Sequence, residues 1–146
     1  MPAPLPVNDA IMLHFDWKDV DGEVIKAVLG QPCYYEEGDG VSWWRTAIVL
    51  KHAAIMIDVN NDTDEIVVTL ERGELPRGEA PLDEAWIPLE ALSSLVGRKL
   101  GWSWNACNSR GYLDAFMIAV DGIDPDWMFV GIASRVPIRK IELVTL

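Results

Sequence analysis

Cysteine is scarce in this chain: Cys33 and Cys107 are the two among 146 residues, far apart and without a CxxC pair. A small secreted disulfide scaffold carries more, so both read as small apolar residues and not as a redox couple. Histidine is equally thin, with His14 and His52 alone. HExxH is missing, as is any Cys/His cluster with zinc spacing, so no metal site is expected. Neither GxGxxG nor a P-loop occurs, which removes the commonest nucleotide cradles, and no cofactor is expected. Gly40-Val41-Ser42-Trp43-Trp44 begins like a nucleophile elbow but ends in Trp where the tight turn needs Gly. No catalytic residue is assigned.

Positive charge is also in short supply. Lys and Arg number 12 against 23 Asp and Glu, a net charge of −11. A surface that grips phosphates needs the opposite sign, so a nucleic-acid partner is not expected. No run approaches the roughly 18–20 apolar residues of a membrane span; the longest, residues 46–59, is broken by Lys51 and His52. The N-terminus has no basic region followed by an apolar one, so it does not read as a secretory signal. A soluble, cytoplasmic protein is expected, with no membrane partner. Prolines at 2, 4 and 6 point to an extended leader over residues 1–8.

Half of the residues are hydrophobic, and the length suits one domain spanning 1–146. Alternating apolar and polar residues dominate. Strands are expected at residues 23–29, 43–50, 54–59, 64–71, 99–106, 112–120, 127–133 and 138–144. Residues 88–96 read as the one main helix, with Pro88 at its first position, Leu89, Leu92 and Val96 on one face, and Gly97 as the stop. A short helix is also allowed within residues 8–20. The expected fold class is therefore α+β, mainly antiparallel, a strongly twisted sheet or half-open barrel of seven or eight strands. Residues 112–120 are apolar on both faces, with Tyr112, Phe116, Ile118 and Val120 on one and Leu113, Ala115, Met117 and Ala119 on the other. Such a strand is covered on both sides. The helix covers one; the rest of the sheet curling over, or a second subunit, covers the other, which makes a homodimer a natural option.

The charge is uneven. Residues 58–90 carry ten acidic and two basic groups, a net of −8, whereas residues 91–146 carry a net of +1. One reading is a solvated face that resists aggregation; the sharper one is a docking face for a basic protein, comprising Asp62, Asp64, Glu65, Glu71, Glu74, Glu79, Asp83 and Glu84. Asp58, Asn60, Asp62 and Asp64 alternate like the first ligands of a calcium loop, but Thr63 and Thr69 stand where Gly and a closing Glu belong, so a hairpin turn is expected.

Seven tryptophans are spread along the chain. Most belong in a core, but Trp102 and Trp104 share one face of a strand and can form a stacking platform. Downstream, Asn108 and Gly111 suit a turn, and Asp114 lies in an apolar neighbourhood where a carboxylate needs a partner: Arg98, Lys99, Arg110 or a Trp N–H. Trp102, Trp104, Asn108, Tyr112 and Asp114 are accordingly candidate ligand-binding residues.

The sequence Gly-x-x-Leu-Gly-Trp-x-Trp at residues 97–104, then Asn-x-x-Gly-Tyr-x-Asp at 108–114, preceded by Asp-Thr-Asp-Glu-Ile at 62–66, resembles a group of small bacterial domains with no assigned activity. The resemblance covers roughly residues 43–120 and carries over no catalytic residue. In size and acidity the chain is similar to immunity proteins, which neutralise a toxin by binding it. The leading expectation is a non-enzymatic interaction module for a basic partner. A small-ligand binder with an aromatic-lined pocket comes second, and an enzyme using Asp114 or His52 third.

Overall fold

Nine strands form in this computed structural model, which describes residues 11–33, 42–73, 86–142 and 144. They are β1 (Ala27–Cys33), β2 (Ser42–Val49), β3 (Ala54–Val59), β4 (Ile66–Glu71), β5 (Ile87–Pro88), β6 (Leu100–Ala106), β7 (Ala115–Val120), β8 (Trp127–Val130) and β9 (Ile138–Lys140). The expected leader lies outside the described residues.

The strands make two antiparallel sheets, one ordered β4-β3-β2-β1-β5 and the other β6-β7-β8-β9. They share one core. Val28, Ile48, Ile55, Ile57, Ile66 and Val68 come from the first sheet, and Leu100, Phe116, Ile118, Val120 and Phe129 from the second. Alternation explains which residues enter it: on β4, Ile66 and Val68 are buried while Val67 and Thr69 are half-exposed. β3 is buried on both faces, because Ala54 and Met56 face the opposite way, into a second cluster with Leu29, Ala47 and Trp86. There the Arg45 guanidinium stands 5.4 Å from the Trp86 ring centre and pairs with Asp58 across the β2–β3 register.

Backbone hydrogen bonds stitch the sheet margins together. Residues 22–25 run against 97–100, with Ile25 N–H donating to Arg98 at 2.8 Å and Leu100 N–H to Glu23 at 2.9 Å. Val136 N–H donates to Trp43, and Ile66 N–H to Leu113. Residues 12–14 add a parallel bridge to β4. Pro32, which cannot donate to a ladder, sits at a register shift in β1–β2 where Trp44 is the extra residue.

Two expectations need correction. The single twisted sheet is two sheets, and there is no main helix among the described residues. Pro88 closes β5, and residues 90–95 form a 3-10 helix with Leu92 and Leu95 buried. Three residues per turn put Leu89, Leu92 and Leu95 on one stripe, so Val96 points outward and is half-exposed. The other expected helix reduces, in its described part, to a 3-10 turn at Trp17–Asp19. Residues 23–25 and 112–114 lie outside the strands expected to include them, because each bonds to the other sheet or to its own loop. No described helix is long and apolar enough to cross a membrane.

Thr46 is fully buried, and its hydroxyl has no hydrogen-bond partner among the described residues. An unsatisfied buried hydroxyl is costly. Thr46→Val is therefore expected to leave stability unchanged or raise it by up to about 1 kcal/mol, read as the midpoint of urea unfolding.

Candidate interaction surface

The outer face of the four-stranded sheet departs from the usual rule for a solvent-facing sheet, which is polar. Register places Trp104 opposite Met117, Met117 opposite Met128, and Met128 opposite Arg139. Directly opposed residues share a face, so an indole, two thioethers and a guanidinium form one row across all four strands. Ala106, Ala115 and Val130 form the row beside it. The core residues Phe116, Ile118 and Phe129 alternate with this set and point the other way. Trp102 lies beside Trp104, ring centres 6.5 Å apart and tilted by 49°, and is 55% exposed. Arg139 is exposed and has no ion-pair partner among the described residues.

Local chemistry fixes this face. A register shift between Leu100 and Ser103 lets β6 bury Leu100 and yet turn Trp102 and Trp104 outward. Gly101 is required there, since an added Cβ would overlap the Gly122 carbonyl oxygen, and its own carbonyl accepts the Trp17 indole N–H at 2.8 Å. The β7–β8 turn is tied back to the start of β6 by Asp121, which accepts Lys99 N–H at 2.8 Å and pairs with Arg98. The Lys99 backbone N–H and then the Arg98 guanidinium hold the Asp121 carboxyl below the usual carboxylate range.

The other candidate ligand residues belong to the β6–β7 loop and serve it. Asn108 Oδ1 accepts Arg110 N–H and Tyr112 N–H, and Asn108 N–H donates to the Tyr112 carbonyl. Asn108 Nδ2 donates to Asp114 at 3.0 Å. The Asp114 carboxylate thus meets a neutral side-chain amide, where the sequence pointed to Arg98, Lys99, Arg110 or a Trp N–H. Arg98 is engaged by Asp121 instead. Tyr112 is exposed at the loop surface.

The eight acidic candidates divide. Asp62 and Glu71 are exposed. Glu74, Glu79, Asp83 and Glu84 lie outside the described residues. Asp64 and Glu65 turn inward and clasp the sheets together. Asp64 accepts Ala133 N–H at 3.1 Å and Ser134 N–H at 2.8 Å, and Glu65 accepts Leu113 N–H at 3.0 Å. The neighbouring turn is held by Asn60, which accepts Asp62 N–H, and Thr63, which accepts Glu65 N–H. With Asp58 paired to Arg45, the side-chain oxygens of Asp58, Asn60 and Asp64 are spent on structure, while the Asp62 carboxylate faces solvent. No group of three or more potential metal-ligating side chains gathers among the described residues.

A cleft of about 250 Å³ lies between residues 11–14 and 60–67, lined by His14, Asn60, Glu65 and Leu113 among others. A shallower one is lined by Asp21, Glu23, Lys26 and Lys51. Neither includes Trp102 or Trp104; on their face Trp102 is exposed, whereas Trp104, Met117 and Met128 are half-buried. His52 and Asp114 are not brought together. His52 precedes Ala54, which pairs with Glu71 at the end of β4, whereas Asp114 follows Leu113, which bonds to Ile66 at its start. A six-residue strand, roughly 17 Å, separates them.

A model of a family of unknown function, DUF6334, matches residues 9–145. The chain belongs to DUF6334. The Trp, Asn, Tyr and Asp positions of residues 97–114 lie within the matched span, as do all nine strands. No curated protein matches the chain. No solved structure matches it either.

Of the outer row, the sequence points to Trp104 but not to Met128 or Arg139. A signal for Met117 is present, as the second apolar face of residues 112–120. Met128 and Arg139 need the β7–β8–β9 register.

Proposed function

We propose that this DUF6334 chain is a non-enzymatic protein-interaction module that binds its partner through the outer face of the four-stranded sheet. One observation carries this reading: the row Trp104–Met117–Met128–Arg139, with Trp102 beside it, on a face that ordinarily carries polar residues. Trp, Met and Arg are the residues enriched in protein interfaces, and Trp and Arg dominate their hot spots. The loop of Asn108, Tyr112 and Asp114 forms a polar rim. Neither of the two clefts described above lies on this face, which suits a protein better than a small ligand, since a small ligand needs a concave site.

The second reading keeps the acidic excess as the docking element, for a basic partner in the manner of an immunity protein. The exposed Asp62 and Glu71 favour it. The inward turn of Asp64 and Glu65 subtracts from it.

Affinity capture with the tagged chain separates the two. Trp102→Ser/Trp104→Ser is expected to reduce partner capture at least tenfold with the circular dichroism unchanged, while Asp62→Ser/Glu71→Ser captures as the parent does. The reverse pattern contradicts the sheet-face reading and supports the acidic one.

A further inference from the structure

Resting on that reading of the face, the geometry points to its occupant: we propose that a second copy of this chain packs on it, sheet to sheet, about a two-fold axis running along the strands. A two-fold interface must be self-complementary, so that if residue i meets residue j then j meets i. The outer row reads indole, thioether, thioether, guanidinium from β6 to β9. A two-fold between β7 and β8, parallel to the strands, turns that row end for end. It sets each Trp104 against Arg139 of the other copy, and each Met117 against Met128 of the other copy. The Arg–indole pairs are cation–π contacts, strengthened as water leaves. The Met pairs supply adaptable apolar packing. The other in-plane two-fold, across the strands, leaves the row in place and stacks Arg139 on Arg139. Like charges disfavour it, so only one of the two arrangements is complementary.

Charge points the same way. Two copies at −11 each repel, and they approach most easily through the part of the chain that is not acidic. Residues 91–146, which supply all four strands of this sheet, carry a net of +1. Arg139 lacks a carboxylate partner among the described residues; its Nη1 donates a long bond to the Ile138 carbonyl at 3.4 Å, which leaves the face of the guanidinium for an indole. Ala106, Ala115 and Val130 are small, so sheets can approach to about 10 Å over them. The face is modest. Four strands at about 4.8 Å and five residues at about 3.3 Å span roughly 300 Å² in plan. A standard interface buries about 800 Å² per partner. The dimer is therefore expected to be weak, with a dissociation constant in the micromolar range or above.

Sedimentation velocity from about 5 µM to about 1 mM tests this. The expected result is a monomer–dimer equilibrium that tightens as salt is raised, because the like net charges are screened. Arg139→Glu and Trp104→Ala should each shift it at least tenfold toward monomer, and Arg139→Lys should shift it less. Arg139 is exposed on an edge strand, so Arg139→Glu keeps the test open if Trp104→Ala folds poorly. A chain that stays monomeric throughout, or a dimer indifferent to both substitutions, overturns the proposal. If the chain is monomeric yet capture is still lost in Trp102→Ser/Trp104→Ser, the second copy is wrong and the sheet-face reading stands.

Discussion

Gly131→Ala is expected to destabilise this protein by about 3 kcal/mol or more. Gly131 is buried just past the end of β8, and its N–H donates to the Asp114 carbonyl at 2.8 Å. A Cβ at this position would overlap the backbone carbonyl oxygen of Asp64 and crowd Val59. A flexible side chain could swing aside; a carbonyl in the middle of a clasp cannot. Either the 131–135 turn or the start of β4 must move, and each is held by bonds to the other sheet. At about 2–4 °C per kcal/mol for a chain of this size, the melting temperature should fall by roughly 10 °C. A methyl group on Gly73 would meet nothing within 4 Å, and Gly73 has no positive φ. Gly73→Ala is therefore the matched control and should melt with the parent.

Asp64→Ala is expected to cost about 3 kcal/mol, from the same junction but by a different route. Ala133 and Ser134 both have positive φ, 50° and 61°, in the two-residue turn between the bridged residues Ile132 and Arg135. That turn prefers Asn-Gly, and left-handed Ala and Ser each cost roughly 1–2 kcal/mol. The Asp64 carboxylate accepts both of their N–H groups and so offsets the strain. Hydrogen bonds to a charged group contribute about 1.5–3 kcal/mol each in favourable cases. Asp64 itself has φ 58°, which Asp tolerates better than Ala. Replacing Ala133-Ser134 by Asn-Gly should recover part of the loss, because the turn then needs less support. Chemical denaturation of the four proteins reads this as a coupling energy. Equal losses from Asp64→Ala with and without the turn replacement would show that the carboxylate does not act through the turn.

The strands are legible in the sequence where one face is buried, as in β4, because a period of two follows from the pleat. Residues 88–96 read as an α-helix because Leu89 and Leu92 fit both 3.6 and 3.0 residues per turn. Leu95 against Val96 decides between them, and the six residues Glu90–Leu95 include two serines and are too few for a stable α-helix. The division into two sheets is not legible, since each margin is closed by bonds between distant segments, such as Ile25 with Arg98. Charge counting finds the acidic stretch but not the direction of its side chains. Asp64 and Glu65 find their partners 48 to 70 residues away, and no local pattern announces that. The Trp102 and Trp104 pair is legible as a shared face. The rest of the row becomes visible only when the register joins β6 to β9.

The most direct test of the outer face as a binding surface is site-specific photo-cross-linking, with p-benzoylphenylalanine at Met128 in one protein and at Asp62 in another. An adduct of twice the chain mass is expected from the Met128 position and none from the Asp62 position. No adduct at Met128, with capture of a partner at Asp62, would contradict binding through the sheet face.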